Sequence, residues 1–283
     1  MYYTTVFALP LVKNKSICLP TLHEEIPAYF SIYKKLFTNE ITYCFNTPEE
    51  LKLFQKIYGF YPSKLSVIGM NISIPNNVGE HRGSPLQPMD FVGADHCVCP
   101  ENDIAETAPY VLYIGRLDVG KKVYELIDFF LEWKNKTVND VCLLIMGAKP
   151  TNFHSKQDVV FTGYVSDTLK YSYIQNSLFL INSSPLESFS IVIMEAWSLK
   201  KAVLVNGDSI VLKRHCERSQ GGLYYTCQKS FFATMNFLMD NPTIREEMGK
   251  NGQKYVEMNY SEGVVQNKLF ALVDLSNSLS NSL

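Results

Sequence analysis

Short apolar runs alternate with longer amphipathic runs over the second part of the chain. The apolar runs predict strands at 111–115, 141–147, 159–163, 178–182 and 202–206. The amphipathic runs predict helices at 123–133, 166–174, 189–199, 229–240 and 243–258. Strands that are apolar along their whole length are typical of a parallel sheet covered by helices on both faces. We therefore expect a doubly wound α/β domain in this region.

The first 75 residues repeat this pattern with fewer elements. Strand-like runs lie at 16–20, 42–45 and 65–69, and helix-like runs at 27–37 and 48–58. Thr47 is the expected N-cap of the second helix, with Pro48 at its first position and Glu50 at its third. Three strands make about half of a doubly wound domain, so we expect a partial, Rossmann-like N-terminal domain over 1–75.

Two further segments complete the predicted organisation. Residues 76–109 are rich in Pro, Gly, Asn and acidic residues and lack periodicity, which indicates a linker or an insertion. Residues 261–275 are apolar at helical spacing and predict a C-terminal helix.

Composition excludes some classes of function. With 46% apolar and 19% charged residues in 283, the chain is globular and foldable. A net charge of −2 argues against nucleic acid as a partner, because binding to phosphate backbones needs a concentrated basic surface. No apolar run approaches the roughly 20 residues of a membrane-spanning helix. The N-terminal apolar run has no basic segment before it and is interrupted by Pro10, so it is not typical of a signal peptide.

The seven cysteines are odd in number and scattered, which favours free thiols in a reducing compartment. The one cluster, His96-Cys97-Val98-Cys99, has no second pair of ligands after it. We therefore favour a plain loop over a metal site there.

The segment from Gly115 to Lys121 fits the G-x-x-x-x-G-K spacing of a nucleotide-binding P-loop. The next residue is Lys122, where a P-loop needs Ser or Thr to hold magnesium, and the neighbouring strands end in Gly147 and Asn182 instead of Asp. A P-loop NTPase is therefore disfavoured. The side chains of Arg116 and Lys121 could instead neutralise a diphosphate at the end of a strand. The alternative for this pair is a solvated basic turn.

A second polar element follows the strand at 178–182. A helix beginning near residues 188–190 would offer free amides to an anion. Glu187 lies just before the N-terminus of this helix. Glu195, two turns further along, could accept hydrogen bonds from a vicinal diol. Structural roles remain open for both: Glu195 as a satisfied buried carboxylate and Glu187 as a partner of the helix dipole.

Three motifs carry a family resemblance: Gly115-Arg-Leu-x-x-x-Lys121, VVFTGYV (159–165) and Glu187-Ser-Phe-Ser-x-Val-x-Met-Glu195-Ala. Together they resemble the C-terminal domain of retaining glycosyltransferases of family 4, which have the GT-B fold. The resemblance implies an α/β GT-B protein with a nucleotide-sugar-binding domain over 110–260. It also implies that the segment 261–283 contains a helix that packs back on the N-terminal part and then a tail.

The resemblance implies roles for ten residues. Arg116 and Lys121 would bind the diphosphate and stabilise its departure, Glu195 would hold the ribose, and Glu187 would face the hydroxyls of the donor sugar. Amides of Phe189, Ser190 and Ile191 would add to the phosphate site, and the backbone at Tyr164 and Val165 would meet the base. His23, in ICLPTLHEE, would lie near the transferred sugar, with an ordinary loop histidine as the alternative.

The implied reaction retains the anomeric configuration and needs no metal or other cofactor. The implied partners are a nucleotide-diphosphate sugar and a carbohydrate or lipid-linked acceptor, with cytoplasmic localisation and possible contact with a membrane surface. Ser190 and Lys122 stand where the family commonly has Gly. The chain also resembles one that enters its N-terminal domain partway, so a non-catalytic remnant that still binds nucleotide sugars is the alternative to an active enzyme.

Overall fold

The computed structural model describes residues 3–74, 109–148 and 158–280. The predicted linker, apart from Pro109, and the His96 to Cys99 cluster lie outside the described residues. The chain separates into two compact units. Unit 1 comprises Met1–Ser73, Leu186–Ile191 and Glu257–Leu283, and unit 2 comprises Ile74–Pro185 and Val192–Val256.

In the part of unit 1 that is described, three parallel strands lie in the order β1-β2-β3. These are β1 (Ile17–Cys18), β2 (Thr42–Phe45) and β3 (Leu65–Val67). Its first helices are α1 (Tyr3–Val12), α2 (Ser31–Leu36) and α3 (Pro48–Tyr58), with 3-10 turns at Lys13–Lys15 and Ile26–Tyr29. Register is fixed by the pairs Ile17↔Thr42 and Tyr43↔Leu65.

Aromatic packing forms the core of unit 1. The ring of Phe54 on α3 lies 4.9 Å from that of Tyr43 and 5.3 Å from that of Phe45, centroid to centroid. The predicted N-cap is confirmed, because the Thr47 hydroxyl accepts the Glu50 amide at 3.1 Å. The helix ends at Gly59, whose φ of 78° is a left-handed conformation that glycine adopts without a steric penalty.

In unit 2, the described residues form a six-stranded parallel sheet. Its strands are β4 (Tyr110–Ile114), β5 (Cys142–Met146), β6 (Val159–Gly163), β7 (Leu180–Asn182), β8 (Val203–Asn206) and β9 (Gly222–Tyr225). The strand order is β6-β5-β4-β7-β8-β9. The central strands β4, β5, β7 and β8 are almost entirely buried, as their continuous apolar character requires, whereas the edge strands β6 and β9 are partly exposed.

Helices follow most strands of this sheet. They are α4 (Val123–Asn135), α5 (Asp167–Asn176), α6 (Ile191–Ser198), α7 (Ile210–Ser219), α8 (Gln228–Asp240) and α9 (Pro242–Tyr260). The last helix, α10 (Glu262–Ser280), belongs to unit 1, where Leu272 packs with Cys44 and Ile68. The predicted α/β class with parallel sheets is confirmed.

Several predicted elements differ from the structure. The helix predicted for 27–37 is divided into a 3-10 turn and α2, because Phe30 is extended, with φ −62° and ψ 135°. Helix α1 was not predicted: it is apolar on all sides and contains Pro10, so it shows no amphipathic period. Helix α7 and strand β9 were also missed.

Helix α9 packs very closely against the turn after α6. A methyl group added at Gly249 would lie 1.9 Å from the carbonyl oxygen of Lys200, a backbone atom that cannot move away freely. The close approach therefore requires a residue without Cβ.

We predict that Gly249→Ala lowers the free energy of unfolding by about 1–3 kcal/mol, because overpacking outweighs the better helix propensity of alanine. Urea unfolding followed by circular dichroism measures the change. Gly263→Ala in α10 is the matched control, because a methyl group there meets no atom within 4 Å. A Gly249→Ala protein as stable as the parent would contradict the packing described.

Candidate functional site

The order of the strands in unit 2 creates a crevice at the carboxyl ends of β4 and β7. The chain extends the sheet from β4 to one side through β5 and β6, and from β7 to the other side through β8 and β9. The loops that leave β4 and β7 therefore diverge, which is the usual position of a ligand site in such sheets. Arg116 and Lys121 follow β4, and Ser183 and Ser184 follow β7.

Lys121 is held against the end of β7. Its Nζ lies 3.3 Å from the Ser184 Oγ, and the Ser183 hydroxyl donates to the Lys121 carbonyl oxygen at 2.7 Å. Both serines are buried. The ammonium is thus placed at the switch point between the two strands.

The side chain of Arg116 is 78% exposed and pairs with Asp118, at 3.4 Å from Nε to Oδ2. An exposed ion pair of this kind contributes little, so a ligand phosphate can replace the carboxylate. The other oxygen of Asp118 accepts the Lys121 amide at 2.9 Å. Because that amide is already bonded inside the loop, the segment does not form the backbone cradle of a P-loop.

The ammonium of Lys122, unlike that of Lys121, lies near two carboxylates. Its Nζ lies 3.2 Å from the Asp208 carboxylate and 3.6 Å from that of Glu125. Its backbone has φ 51°, the left-handed conformation that favours glycine. Ser190 also has a positive φ, of 72°. Both positions at which the resemblance expects glycine are therefore left-handed.

Glu195 is buried on α6 and has a cation as its partner. Its Oε1 accepts from the Lys170 Nζ at 2.8 Å and from the Tyr171 hydroxyl at 3.2 Å. Among the described residues, none donates a hydrogen bond to its Oε2. Burial opposes the charge of Lys170, but the hydrogen bond and the charge of Glu195 outweigh it and raise the pKa of the ammonium. Neither partner of Glu195 was predicted, because no local sequence pattern links α5 to α6.

Tyr164 and Val165 connect β6 to α5. The Tyr164 side chain is 81% exposed, and Gly163 before it has φ 70°. Ser166 is the N-cap of α5, with its hydroxyl accepting the Leu169 amide at 3.4 Å. Lys170, one turn into this helix, connects the segment to Glu195.

A cavity of about 330 Å³ lies within unit 1. Its lining residues are Thr21, His23, Glu25, Met70, Glu187, Ser188, Phe189, Ser190 and Ile191. The structure thus brings His23 and Glu187 to one cavity, with the segment 189–191 as part of its wall. Thr21, Glu25 and Met70 were not among the predicted site residues. Of these residues, Glu25 could have been suggested by the sequence, because it lies two positions from His23.

The helix that follows Glu187 begins later than predicted. It starts at Ile191, after Ser190 has taken its left-handed conformation. The Phe189 ring is buried against Tyr260, with centroids 4.9 Å apart and planes nearly perpendicular. The Ser188 carbonyl accepts from the Thr47 hydroxyl at 3.3 Å. These contacts fix the segment that lines the cavity.

Within residues 3–74, 109–148 and 158–280, no group of three His, Cys, Asp or Glu side chains could hold a metal ion. None of the helices in these ranges is both long and apolar enough to cross a membrane. Cys18, Cys44, Cys142, Cys216 and Cys227 are free thiols.

Solved structures similar to this chain are glycosyltransferases and related synthases. Sucrose-phosphate synthase of Thermosynechococcus elongatus matches with a TM-score of 0.62 at 16% identity, over 89% of this chain and 61% of that one. TarM of S. aureus, in a complex that includes UDP, matches at 0.67 and 16%, over 90% and 50%. Anabaena HepE with UDP matches at 0.64 and 14%, over 94% and 71%. These likenesses confirm the predicted GT-B type of α/β fold.

The strand order, the crevice and these likenesses together define a GT-B type of fold. The family model described as "Glycosyl transferases group 1" matches residues 100–255, more than half of the chain. The chain belongs to this family of transferases. A relative from Xenopus tropicalis, "Glycosyltransferase 1 domain-containing protein 1", is 29% identical over 171 residues, 54% of this chain. The chain spans 46% of the length of that relative.

We predict that Lys170→Met lowers the free energy of unfolding by roughly 3 kcal/mol, because it leaves a buried carboxylate without its cation. Chemical denaturation measures the change. The double variant Lys170→Met/Glu195→Gln should recover part of the loss, since the uncompensated charge is gone. Lys136→Met, which removes a surface partner of Glu132, is the control and should leave the unfolding midpoint nearly unchanged. Equal losses in the single and double variants would contradict the pairing.

Proposed function

We propose that this protein transfers a sugar from a nucleotide-diphosphate-sugar donor to a carbohydrate or lipid-linked acceptor. The observation that carries the proposal is the position of Lys121, which lies against Ser184 where β4 and β7 end. Arg116 leaves the same strand as Lys121. A basic pair at a switch point suits a diphosphate, the guanidinium through two parallel hydrogen bonds and the ammonium as a point charge.

Five of the residues proposed to bind the nucleotide belong to unit 2: Arg116, Lys121, Tyr164, Val165 and Glu195. Arg116 exchanges Asp118 for the diphosphate. Glu195 accepts the ribose hydroxyls on Oε2 while Lys170 and Tyr171 keep its Oε1 in place. The base meets the backbone at Tyr164 and Val165. UDP is a suitable first probe because HepE and TarM, which share the fold, were solved with it.

The proposed sugar-binding residues belong to unit 1. His23 and Glu187 line a cavity whose volume of about 330 Å³ is within the range of small-molecule sites, about 300–1,000 Å³. A carboxylate and an imidazole can exchange several hydrogen bonds with hydroxyl groups. Phe189, Ser190 and Ile191 line the same cavity, and we propose that their amides donate hydrogen bonds to phosphate.

For the mechanism we propose retention of the anomeric configuration, as in family 4. The acceptor hydroxyl attacks the face from which the diphosphate departs, so catalysis depends on stabilising the leaving group. Arg116 and Lys121 supply that stabilisation electrostatically. We propose that no resident metal ion takes part and that the product belongs to a surface glycan or polysaccharide made in the cytoplasm.

We predict that UDP binds this protein. Arg116→Ala should raise the Kd for UDP about tenfold to a hundredfold, because a charged hydrogen bond is lost. Glu195→Gln should weaken binding about tenfold through the ribose. Titration calorimetry measures both, with EDTA expected to have no effect. The control is Arg214→Ala, an exposed arginine that pairs with Glu217 on α7 and should leave the Kd unchanged.

A measurement of turnover distinguishes an active enzyme from a remnant that only binds nucleotide sugars. Release of UDP from nucleotide sugars, alone or with glycan acceptors, supports the transferase. Donor binding without release under any of these conditions would favour the remnant. Binding of ATP that strictly requires magnesium, with UDP unbound, would overturn both in favour of the P-loop interpretation.

We also propose that unit 1 contacts a membrane surface. Helix α1 exposes Phe7, Leu11 and Val12 and is followed by Lys13, a combination of apolar and basic groups that suits an anionic interface. Leu11→Asp should reduce flotation with phosphatidylglycerol vesicles severalfold. Val138→Asp, at a valine of unit 2 that is even more exposed than Leu11, is the control. Equal flotation of parent and Leu11→Asp proteins would exclude α1 as the contact.

A further inference from the structure

One buried carboxylate of unit 1 joins the ends of two neighbouring strands. Glu50, in the first turn of α3, is only 1% exposed. Its Oε1 accepts the Leu22 amide and its Oε2 accepts the Asn46 amide, each at 2.7 Å. Leu22 follows β1 and Asn46 follows β2. A single side chain therefore holds the two segments that leave the sheet at this edge.

The turn that Glu50 holds forms part of the cavity wall. Leu22 lies between Thr21 and His23, and both of these line the cavity. Thr21 has φ 47°, a left-handed conformation that is unfavourable for a β-branched residue. Such a conformation persists only where the surroundings impose it. The buried Leu22 side chain and the bond from its amide to Glu50 supply that constraint.

We propose that Glu50 is a positioning residue for the sugar cavity: its carboxylate fixes the Thr21 turn and thereby the place of the His23 imidazole. It acts through the backbone and does not touch the substrate. The effect on turnover rests on the function proposed above, whereas the effect on the turn does not.

The charge of Glu50 determines how strongly it holds the turn. Two amides donating at 2.7 Å suit an anion, because a protonated oxygen would turn its own hydrogen toward one of the donors. Burial raises the pKa of Glu50 to about 7, against the two amide bonds, which lower it. The ionisable groups of the strands that face it are the Cys18 and Cys44 thiols. Burial raises the pKa of the Cys18 thiol to about 12 and that of the Cys44 thiol to about 11, so both thiols stay neutral. On α3, Glu49 is the neighbour of Glu50 in the sequence.

The titration of Glu50 distinguishes its positioning role from its contribution to stability. The pKa of Glu50 is raised above its ordinary 4.5, so its contribution to stability is fully present below about pH 4.5 and is lost as pH rises through about 7. The carboxylate that holds the turn forms over the same range. A positioning role therefore makes turnover rise with pH where the contribution of Glu50 to stability falls.

The first test is nuclear magnetic resonance of the full chain between about pH 5 and about pH 9. We expect the Leu22 and Asn46 amide signals to shift together with a midpoint near 7. Glu50→Gln should abolish this titration. Glu40→Gln, at an exposed carboxylate of the same unit, should preserve it. Amide signals that do not titrate, or that titrate equally in Glu50→Gln, would overturn the inference.

The second test is kinetic. Glu50→Gln should lower kcat about tenfold at pH 8, flatten its rise near pH 7 and change the KM for the donor less than twofold. Thr21→Gly should restore most of the lost kcat in the Glu50→Gln background, compared with Thr21→Gly alone, because glycine adopts φ 47° freely. An unchanged kcat in Glu50→Gln would overturn the inference. If the parent turns nothing over, the proposed function fails and the amide titration alone decides the role of Glu50.

Discussion

The reversal of strand order between β4 and β7 is the constraint on which the candidate site of unit 2 depends. These strands pair in parallel, with Leu112 opposite Leu180, so their carboxyl ends lie side by side. The elements that follow them cover opposite sides of the sheet, and the two loops separate. Only this pairing brings Lys121 to Ser184. In any other strand order, the same loop would be an ordinary basic turn.

The elements that could be predicted from the sequence are those whose signal is local. Strand β6 and helix α3 have the predicted bounds, because a short apolar run and a Thr-Pro-Glu-Glu start are each sufficient. Helix α1 could not be predicted, since it is apolar all round and contains Pro10. The helix predicted over 27–37 is interrupted at Phe30, where the backbone is extended, and no local pattern indicates this break.

The candidate site shows the same division. Charged residues at strand ends could be identified from spacing, and Lys122 and Ser190 mark left-handed positions that glycine would fill more easily. The partners of the site residues could not be identified. Lys170 reaches Glu195 from a helix 25 positions upstream, and Glu50 captures an amide 28 positions away. Such contacts exist only once the sheet has formed, so the periodicity of the sequence does not indicate them.

Two of the buried carboxylates, Glu50 and Glu195, are compensated in different ways. Glu195 faces an ammonium, and the pair raises the pKa of Lys170, so the cation beside it persists over the range in which proteins function. Glu50 faces amide dipoles only, which stabilise its charge less than burial opposes it, and its pKa is raised to about 7. A full charge as partner therefore holds the Glu195 carboxylate in an ion pair. Dipoles as partners leave the other able to gain and lose its proton near neutrality, at the turn that carries His23.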